Sequence, residues 1–397
     1  QSTAASVSNI EVARGSPRCL HPRQRPVVSP VPPHGGNFSD EARRLGLDPS
    51  LLLDASASLV PFKPPRVLKH ALAQGIRGTA LRDYPDRQQW ELRVVLAEHH
   101  NIDPAAVLPG NGAAELFTWA ARDASALGVS VLPQPGFADY PRALRCWQGH
   151  WQSLALPLTW PGSWPQPFPL KPAAPSQGSS QCLWITNPHN PTGQLWDRAS
   201  LEALLPGYGL VVCDEAFLPL VPGGEAQSLV PLLNRHPNLV VIRSLTKLFA
   251  IAGLRLGYAL ASPERLQRWS GWRDPWSVNG LALAAGSAVM ADGAALERWL
   301  RRVHHWVQCE GPWLQHRLDA LPGLTAYPSS ANYLLVEAGQ SLLAVREAVA
   351  RRGVLLRDCR SFEGLGECWL RIGLQSSSGN RRIVQAMQMS LDDHPLN

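Results

Sequence analysis

The sequence has no dense run of Lys or Arg, no Cys-x-x-Cys pair and no long apolar segment. Without a basic run, the net charge of +6 is dispersed, which argues against a nucleic-acid partner and leaves a mild bias towards anionic small substrates. Seven cysteines without such a pair indicate neither a disulfide framework nor a metal site, so a reducing cytoplasm is the expected location. A membrane span needs roughly 20 apolar residues, and no run approaches that length, so no membrane partner is expected.

Apolar residues are plentiful, at 45% of 397 residues, which is enough for a large core and two domains packed as one unit. The first 30 residues are rich in Ser, Pro and Arg and lack the apolar stretch of a secretory signal. We therefore expect residues 1–30 to be a disordered extension. Residues 31–80 are expected to form an N-terminal arm and part of a small domain.

Strand-like and helical patterns alternate through the middle of the chain. Strands are predicted at 129–132, 182–186, 210–213 and 239–242, with helical patterns between them, which is typical of an α/β fold with a mostly parallel sheet. Beyond residue 280 a long helical stretch, 281–318, is followed by shorter strand and helix patterns. We interpret residues 81–280 as a large domain and 281–397 as a smaller α+β domain.

A single lysine, Lys247, lies in a largely apolar segment just after the predicted strand 239–242. Open α/β sheets bind their ligands at the ends of such strands. Desolvation and the nearby guanidinium of Arg255 both disfavour the ammonium form, which suits the amine to Schiff-base chemistry, and the hydroxyls of Ser244 and Thr246 could hold a phosphate beside it. These are the requirements of pyridoxal phosphate, although an arbitrary lysine is usually a surface residue.

Two further segments follow predicted strands or open helices. Gly112 and Ala113 lie at the start of a helical pattern, where free backbone N–H groups and the helix dipole favour an anion. Phe137 follows the strand 129–132 and offers an aromatic face to a heteroaromatic ring. Taken alone, the glycine turn is usually structural and the phenylalanine is more often a core residue.

Three polar residues complete the set of candidates. Asn190 lies between two Asx-Pro turns after the strand 182–186, where its amide can donate to a phenolate-like oxygen. Asp214 follows a buried strand, and a buried carboxylate is costly unless a cation such as a protonated pyridine nitrogen pairs with it. Arg371, on a late strand, can hold a carboxylate or phosphate bidentately, or form a purely structural ion pair.

In this order, the motifs resemble those of the fold-type I pyridoxal-phosphate enzymes, the aspartate-aminotransferase-like superfamily, from about His34 onward. The resemblance implies that Lys247 binds the cofactor covalently, that Asp214 pairs with its pyridine nitrogen and that Asn190 bonds its ring hydroxyl. Phe137 would stack on the ring. The groups implied for the cofactor phosphate are Ser244, Thr246, Arg255 and the helix start at Gly112 and Ala113.

The resemblance also implies a homodimer with shared active sites. Tyr84, in the segment Arg82-Asp83-Tyr84-Pro85, is similar to the tyrosine that reaches the cofactor phosphate of the neighbouring subunit in that superfamily. Residues 81–280 would then be the large domain that binds pyridoxal phosphate.

Within the superfamily the chain resembles two groups, the L-threonine-O-3-phosphate decarboxylases of cobalamin biosynthesis and the histidinol-phosphate aminotransferases. Both act on phosphorylated amines or amino acids. Phe217, where aminotransferases usually have tyrosine, favours the decarboxylases. So does the segment His34-Gly35-Gly36-Asn37, implied to contact the substrate phosphate. The resemblance also implies substrate roles for Asn190, Asn332, Arg357 and Arg371.

The two reactions differ in the bond that breaks at the α-carbon of the substrate, because only a bond perpendicular to the cofactor ring can release its electrons into it. Loss of the carboxylate from L-threonine O-3-phosphate would yield (R)-1-amino-2-propanol O-2-phosphate, whereas loss of the α-hydrogen would lead to transamination. The expectation is decarboxylation, with transamination as the alternative. A third interpretation, a cofactor-binding regulator or a catalytically silent scaffold on the same fold, is disfavoured because Lys247, Asp214, Asn190 and Arg255 are all present.

Overall fold

A computed structural model describes residues 35–160, 162–170 and 180–396 of the chain. The expected extension at 1–30, His34 and part of the proline-rich connection between 156 and 180 lie outside the described residues. Contacts group the described residues in one compact unit, so the division at about residue 280 stays a prediction.

The strands that the structure describes fall into three sheets. In chain order they are β1 (Leu53–Asp54), β2 (Val107–Asn111), β3 (Val129–Gln134), β4 (Trp151–Ala155), β5 (Gln181–Thr186), β6 (Leu210–Asp214), β7 (Leu239–Ser244), β8 (Leu256–Leu260), β9 (Leu324–Ala326), β10 (Tyr333–Ala338), β11 (Val354–Leu355), β12 (Arg357–Asp358) and β13 (Trp369–Gly373).

Helices cover the sheets. They are α1 (Phe38–Leu45), α2 (Arg66–Arg77), α3 (Trp90–His100), α4 (Ala113–Leu127), α5 (Asp139–Arg145), α6 (Arg198–Glu202), α7 (Leu245–Leu248), α8 (Pro263–Trp272), α9 (Gly280–Ala291), α10 (Gly293–Asp319), α11 (Leu343–Arg351) and α12 (Ser377–Asp393). None of the helices in the described ranges is both long and apolar enough to cross a membrane.

The largest sheet has seven strands in the order β2-β8-β7-β6-β5-β3-β4. Its central strands β5, β6 and β7 are buried and parallel, as apolar runs without polar alternation predict. Strand β8 alone runs antiparallel to both neighbours, so the prediction of a mostly parallel sheet is confirmed. Consequently β8 begins at the edge where the other six strands end, and loops from all seven strands meet there.

The C-terminal part of the chain forms a four-stranded antiparallel sheet in the order β12-β13-β10-β9. The prediction of one continuous helix over 281–318 is wrong, because the helix is interrupted at Asp292, between α9 and α10. At the break the side chain of Asp292 accepts a hydrogen bond from the backbone N–H of Ala295, which caps the new helix. The α+β character of this region otherwise agrees with the prediction.

The core lies on both faces of the seven-stranded sheet. Trp184 on β5 and Trp269 on α8 are buried on one face with α4, and a larger apolar cluster fills the other face and continues to the C-terminal sheet. The six cysteines among the described residues are all unpaired, and the same ranges contain no group of three or more side chains placed to hold a metal.

Candidate active site

A cavity of about 270 Å³ lies at the edge where the parallel strands end. Most of the residues that the sequence singles out line this cavity together. They are Gly35, Gly112, Ala113, Phe137, Asn190, Asp214, Ser244, Thr246, Lys247, Arg255, Arg357 and Arg371.

Lys247 is held at the cavity by the short helix α7, which begins directly after β7. Burial is the main reason that the pKa of Lys247 falls to about 8, and the guanidinium groups of Arg371 and Arg255 lower it further. The Nζ atom lies 5.7 Å from the centre of the Phe217 ring. The sequence expectation of a lysine with a weakened ammonium form is therefore confirmed, with Arg371 as an additional cause.

Asp214 is the last residue of β6, and its side chain is buried. The Tyr140 hydroxyl donates to its Oδ2 at 2.7 Å, and the Ala216 N–H donates to its Oδ1 at 2.9 Å. Burial raises the pKa of Asp214 to about 6, while these two hydrogen bonds hold it down. A carboxylate of this kind gains most from a cationic partner in the cavity.

Hydroxyl, backbone amide and guanidinium groups, all able to donate hydrogen bonds to an anion, line one end of the cavity. The Oγ atoms of Ser244 and Thr246 lie 2.7 Å apart, and Ala113 begins α4 with its N–H groups free for a ligand. Arg255 reaches the same end because it precedes the antiparallel strand β8. Gly112 has a φ of 75°, and a Cβ there would lie 2.5 Å from Nη2 of Arg255, so a larger residue would displace the guanidinium.

Asn190 and Arg371 meet across 181 residues of sequence, where Nη1 of Arg371 donates to Oδ1 of Asn190 at 2.5 Å. Nη2 of Arg371 also donates to the backbone carbonyl of Ser56, at 3.2 Å. The hydrogen bond leaves the Asn190 amide N–H₂ as a donor, as its expected role requires. Burial lowers the pKa of Arg371, because it disfavours the charged guanidinium. An anionic ligand in the cavity would stabilise that charge.

Arg357, on β12, lies beside Arg371, which is its partner in the sheet register. Burial, and next the positive charge of Arg371, lower the pKa of Arg357 to about 10. Nη2 of Arg357 donates to Ser361 Oγ at 2.6 Å. Two like charges are thus held at one wall of the cavity, where an anionic ligand would relieve their repulsion.

Three of the described candidates do not line the cavity of this chain. Tyr84 is 78% exposed and stacks on Trp276, with ring centres 4.4 Å apart. Asn37 lies in a small neighbouring cavity with Arg357. Asn332 is buried and donates to the carbonyl of Ser58 at 3.0 Å, so it supports the loop that lines the cavity instead of reaching the cavity itself. His34 lies outside the described residues.

The sequence interpretation missed the loop after β1 and the tyrosine behind Asp214. Asp54 accepts hydrogen bonds from Ser56, through both N–H and Oγ, and this turn brings Ser56 and Ser58 to the cavity wall. An Asp-x-Ser turn after an apolar run is a detectable signal for a structured loop. Tyr140, three residues after Phe137, carried no signal for its contact because its partners come from other strands.

The family description "Aminotransferase class I and II" matches residues 51–387. The threonine-phosphate decarboxylase of Salmonella typhimurium is 33% identical over 361 residues, covering 89% of this chain and 95% of that protein. The histidinol-phosphate aminotransferase of Symbiobacterium thermophilum is 34% identical over 377 residues, covering 94% of this chain and 97% of that protein.

Among solved structures, the histidinol-phosphate aminotransferase of Sinorhizobium meliloti in complex with pyridoxal 5'-phosphate superposes with a TM-score of 0.70. It is 20% identical and covers 90% of this chain and 95% of its own. The Thermus thermophilus aspartate aminotransferase with maleate superposes with a TM-score of 0.71 at 21% identity, covering 89% of this chain and 94% of its own, so the fold is aspartate-aminotransferase-like.

Proposed function

Since the chain belongs to the class I and II aminotransferase family, we propose that it is a lyase that uses pyridoxal phosphate to decarboxylate L-threonine O-3-phosphate. The product would be (R)-1-amino-2-propanol O-2-phosphate, an intermediate for cobalamin biosynthesis. The observation that carries this proposal is the pair of neighbouring arginines, Arg357 and Arg371, at the wall of the cavity that contains Lys247.

Pyridoxal phosphate is the cofactor of this family, and the donor groups of the cavity fit it. Lys247 would hold its aldehyde carbon, Asp214 its ring nitrogen and Asn190 its ring hydroxyl, with Phe137 against the ring. The phosphate would be held by Ser244, Thr246, Arg255 and the N–H groups that begin α4. When bound, the cofactor supplies an electron-accepting ring for a bond broken at the α-carbon of the substrate.

The two arginines distinguish between substrates by charge. L-threonine O-3-phosphate carries a carboxylate and a phosphate, so it can neutralise both guanidinium groups, whereas histidinol phosphate carries only the phosphate. Arg371 is fixed by Asn190 and Ser56, and Arg357 by Ser361, so both present their charge from a defined position. A substrate held at two points would keep one chosen bond of its α-carbon aligned.

Phe217 gives further support for decarboxylation. It is buried at the cavity, and its ring packs edge-on against Tyr333 with the ring centres 5.1 Å apart. Phenylalanine has no hydroxyl to donate to the cofactor, so Asn190 remains the donor proposed for the ring hydroxyl. Lys247, which lines the same cavity, would deliver the proton that replaces the lost carboxylate.

Transamination is the second candidate function. It is favoured by the 34% identity to the histidinol-phosphate aminotransferase of Symbiobacterium thermophilum, which is as high as the identity to the decarboxylase. The same lysine would then move the α-hydrogen of the substrate, and the arginines would bind the carboxylates of a keto-acid partner.

We also propose a homodimer with shared active sites. Tyr84 and Leu81 are 78% and 68% exposed, and Ile76 and Trp90 are also exposed beyond one half. Exposed apolar side chains that lie this close in sequence are typical of a protein–protein contact, and we propose that a second copy of the chain covers them. Tyr84 would there approach the cofactor phosphate of the partner. Dilution of the chain below its dimerisation range should then lower turnover.

The decisive experiment is incubation of the holoenzyme with O-phospho-L-threonine while carbon dioxide and the amine product are followed. A parallel reaction contains histidinol phosphate and 2-oxoglutarate. Carbon dioxide release without a keto acid supports the decarboxylase, and glutamate formation only in the parallel reaction would replace it with the aminotransferase. Activity in neither reaction, together with no uptake of the cofactor, would refute both.

A further inference from the structure

Tyr140 has its hydroxyl buried behind the cavity and not in it. The side chain is 4% exposed, and Tyr140 is absent from the lining of the cavity, which does include Asp214. Its hydroxyl oxygen lies 2.7 Å from Oδ2 of Asp214 and 2.7 Å from Oγ1 of Thr186. Tyrosine hydroxyls are seldom buried without purpose, because each must find partners to replace water.

The three residues come from three separate elements. Tyr140 is on α5, Thr186 is the last residue of β5 and Asp214 is the last residue of β6. Since β5 and β6 are adjacent and Thr186 is paired with Asp214 in the register, the two side-chain groups lie side by side. The single hydroxyl of Tyr140 therefore contacts side chains at the ends of two adjacent strands.

The Tyr140 ring is held by other aromatic rings. Phe117, Phe137 and Trp184 surround it, with ring centres 5.2, 5.6 and 5.1 Å from its own. Packing of this kind leaves the ring little freedom, so the position of the hydroxyl is determined by neighbours that do not depend on Asp214. The contact is thus an external constraint on the carboxylate.

Among the described residues, Asp214 has one other donor to its side chain, the Ala216 N–H on Oδ1. Each oxygen of the carboxylate therefore has one donor from the protein, and the direction of both is fixed. With Tyr140 removed, Oδ2 would lose its protein donor, and the carboxylate would be freer to rotate or to take up a proton.

We propose that Tyr140, supported by Thr186, is a positioning residue that keeps the Asp214 carboxylate ionised and oriented for the ring nitrogen of pyridoxal phosphate. This inference rests on the role given to Asp214 under the proposed function. It assigns the tyrosine no contact with substrate or cofactor. Burial raises the pKa of Asp214, and the Tyr140 hydrogen bond acts against that rise, which agrees with the role.

The test is Tyr140→Phe, which keeps the aromatic packing and removes one oxygen atom. A hydrogen bond to a charged group contributes about 1.5–3 kcal/mol, so the affinity of the cofactor-free chain for pyridoxal phosphate should fall by about 10- to 150-fold. The visible absorption of the holoenzyme should change, and kcat for O-phospho-L-threonine should fall with KM nearly unchanged. Both affinity and spectrum are measured by titration with the cofactor.

Tyr258→Phe is the matched control. Tyr258 is also a buried tyrosine, and its hydroxyl lies 2.9 Å from Nε2 of His100, away from the residues that line the cavity. The Tyr258→Phe variant should be less stable to urea than the wild type, and its affinity for pyridoxal phosphate should be unchanged. Thr186→Val is a second variant that keeps Tyr140 and should show a smaller effect of the same sign, which retains the test if Tyr140→Phe does not fold.

Wild-type affinity and spectrum in Tyr140→Phe, or losses no larger than in Tyr258→Phe, would overturn the inference and leave the proposed function intact. A wild-type chain that takes up no pyridoxal phosphate, and in which borohydride fixes none on Lys247, would overturn the function and the inference together. Loss of affinity in Tyr140→Phe with a normal wild-type chain supports both.

Discussion

Two groups of polar residues lie at the ends of β6 and β7. In one group the positive and negative charges are matched, and in the other positive charge is in excess. On one side Asp214 and Lys247 line the cavity. On the other side Glu215 and Arg243 form a buried ion pair with Nη2 and Oε2 2.6 Å apart. Consecutive side chains at a strand end point to opposite faces, so Asp214 and Glu215 belong to different surroundings although they are neighbours in sequence.

The ion-pair side is fully satisfied. Arg243 contacts Glu215 and also Glu225, at 2.7 Å. Glu215 further accepts hydrogen bonds from Ser228 Oγ at 2.9 Å and from the Leu229 N–H at 2.7 Å. Positive and negative charges are matched inside this group, and no ligand is needed to complete it.

The cavity side has a surplus of positive charge. Lys247 lies among Arg371, Arg255 and Arg357, and the carboxylate of Asp214 lines the same wall. Burial is the main cause of the lowered pKa of Lys247, and the positive charges of Arg371 and Arg255 lower it further. The difference between the two sides indicates that the cavity is built to bind several anionic groups, whereas the opposite side is built to be stable by itself.

The largest effect is expected from Lys247→Ala. Turnover of O-phospho-L-threonine should fall by about 10³-fold or more, because no other lysine among the described residues lines the cavity. Stability to urea should stay level or rise, since a cation among cations is removed. Activity and borohydride labelling are the measurements, and substantial residual turnover would contradict the role of Lys247.

On the opposite side, Arg243→Met should act on stability and not directly on chemistry. Removing one partner of a buried pair leaves Glu215 and Glu225 without their cation, and the free energy of unfolding should drop by about 3–5 kcal/mol. Arg301→Met, which breaks an exposed pair with Glu297, is the matched control and should cost no more than about 1 kcal/mol. Equal losses in urea unfolding would remove the distinction between the two sides.

The smallest effect is expected in the pH dependence of cofactor uptake. Because the pKa of Lys247 is lowered from 10.5 to about 8, its unprotonated amine is present at lower pH than for an ordinary lysine. The rate at which the cofactor-free chain takes up pyridoxal phosphate should rise with pH and level off above about 8. Arg371→Met should move that midpoint upward, and a wild-type midpoint near 10.5 would contradict the account.

The sequence predicted those strands next to the site that consist of an uninterrupted apolar run, the pattern typical of a buried parallel strand. The strands at β5, β6 and β7 are apolar runs, and the candidates Asn190, Asp214 and Lys247 could be placed after them. Strand β2 was not predicted because it contains Pro109 and Gly110, which are tolerated since β2 is an edge strand. Asp292 was not recognised as the start of a new helix, so α9 and α10 were predicted as one.

Local sequence by itself determined which residue types follow each strand, and these residue types limit the reactions that the site can catalyse. Lysine, aspartate and asparagine at these points are part of the resemblance that implied the cofactor, and they meet because the strand ends of a parallel sheet share one edge. Only the tertiary structure decided which cations face one another. The contact between Arg371 and Asn190 spans 181 residues, and that between Tyr140 and Asp214 spans 74. Packing between distant segments, which no local pattern encodes, brings these groups together and shifts their pKa values.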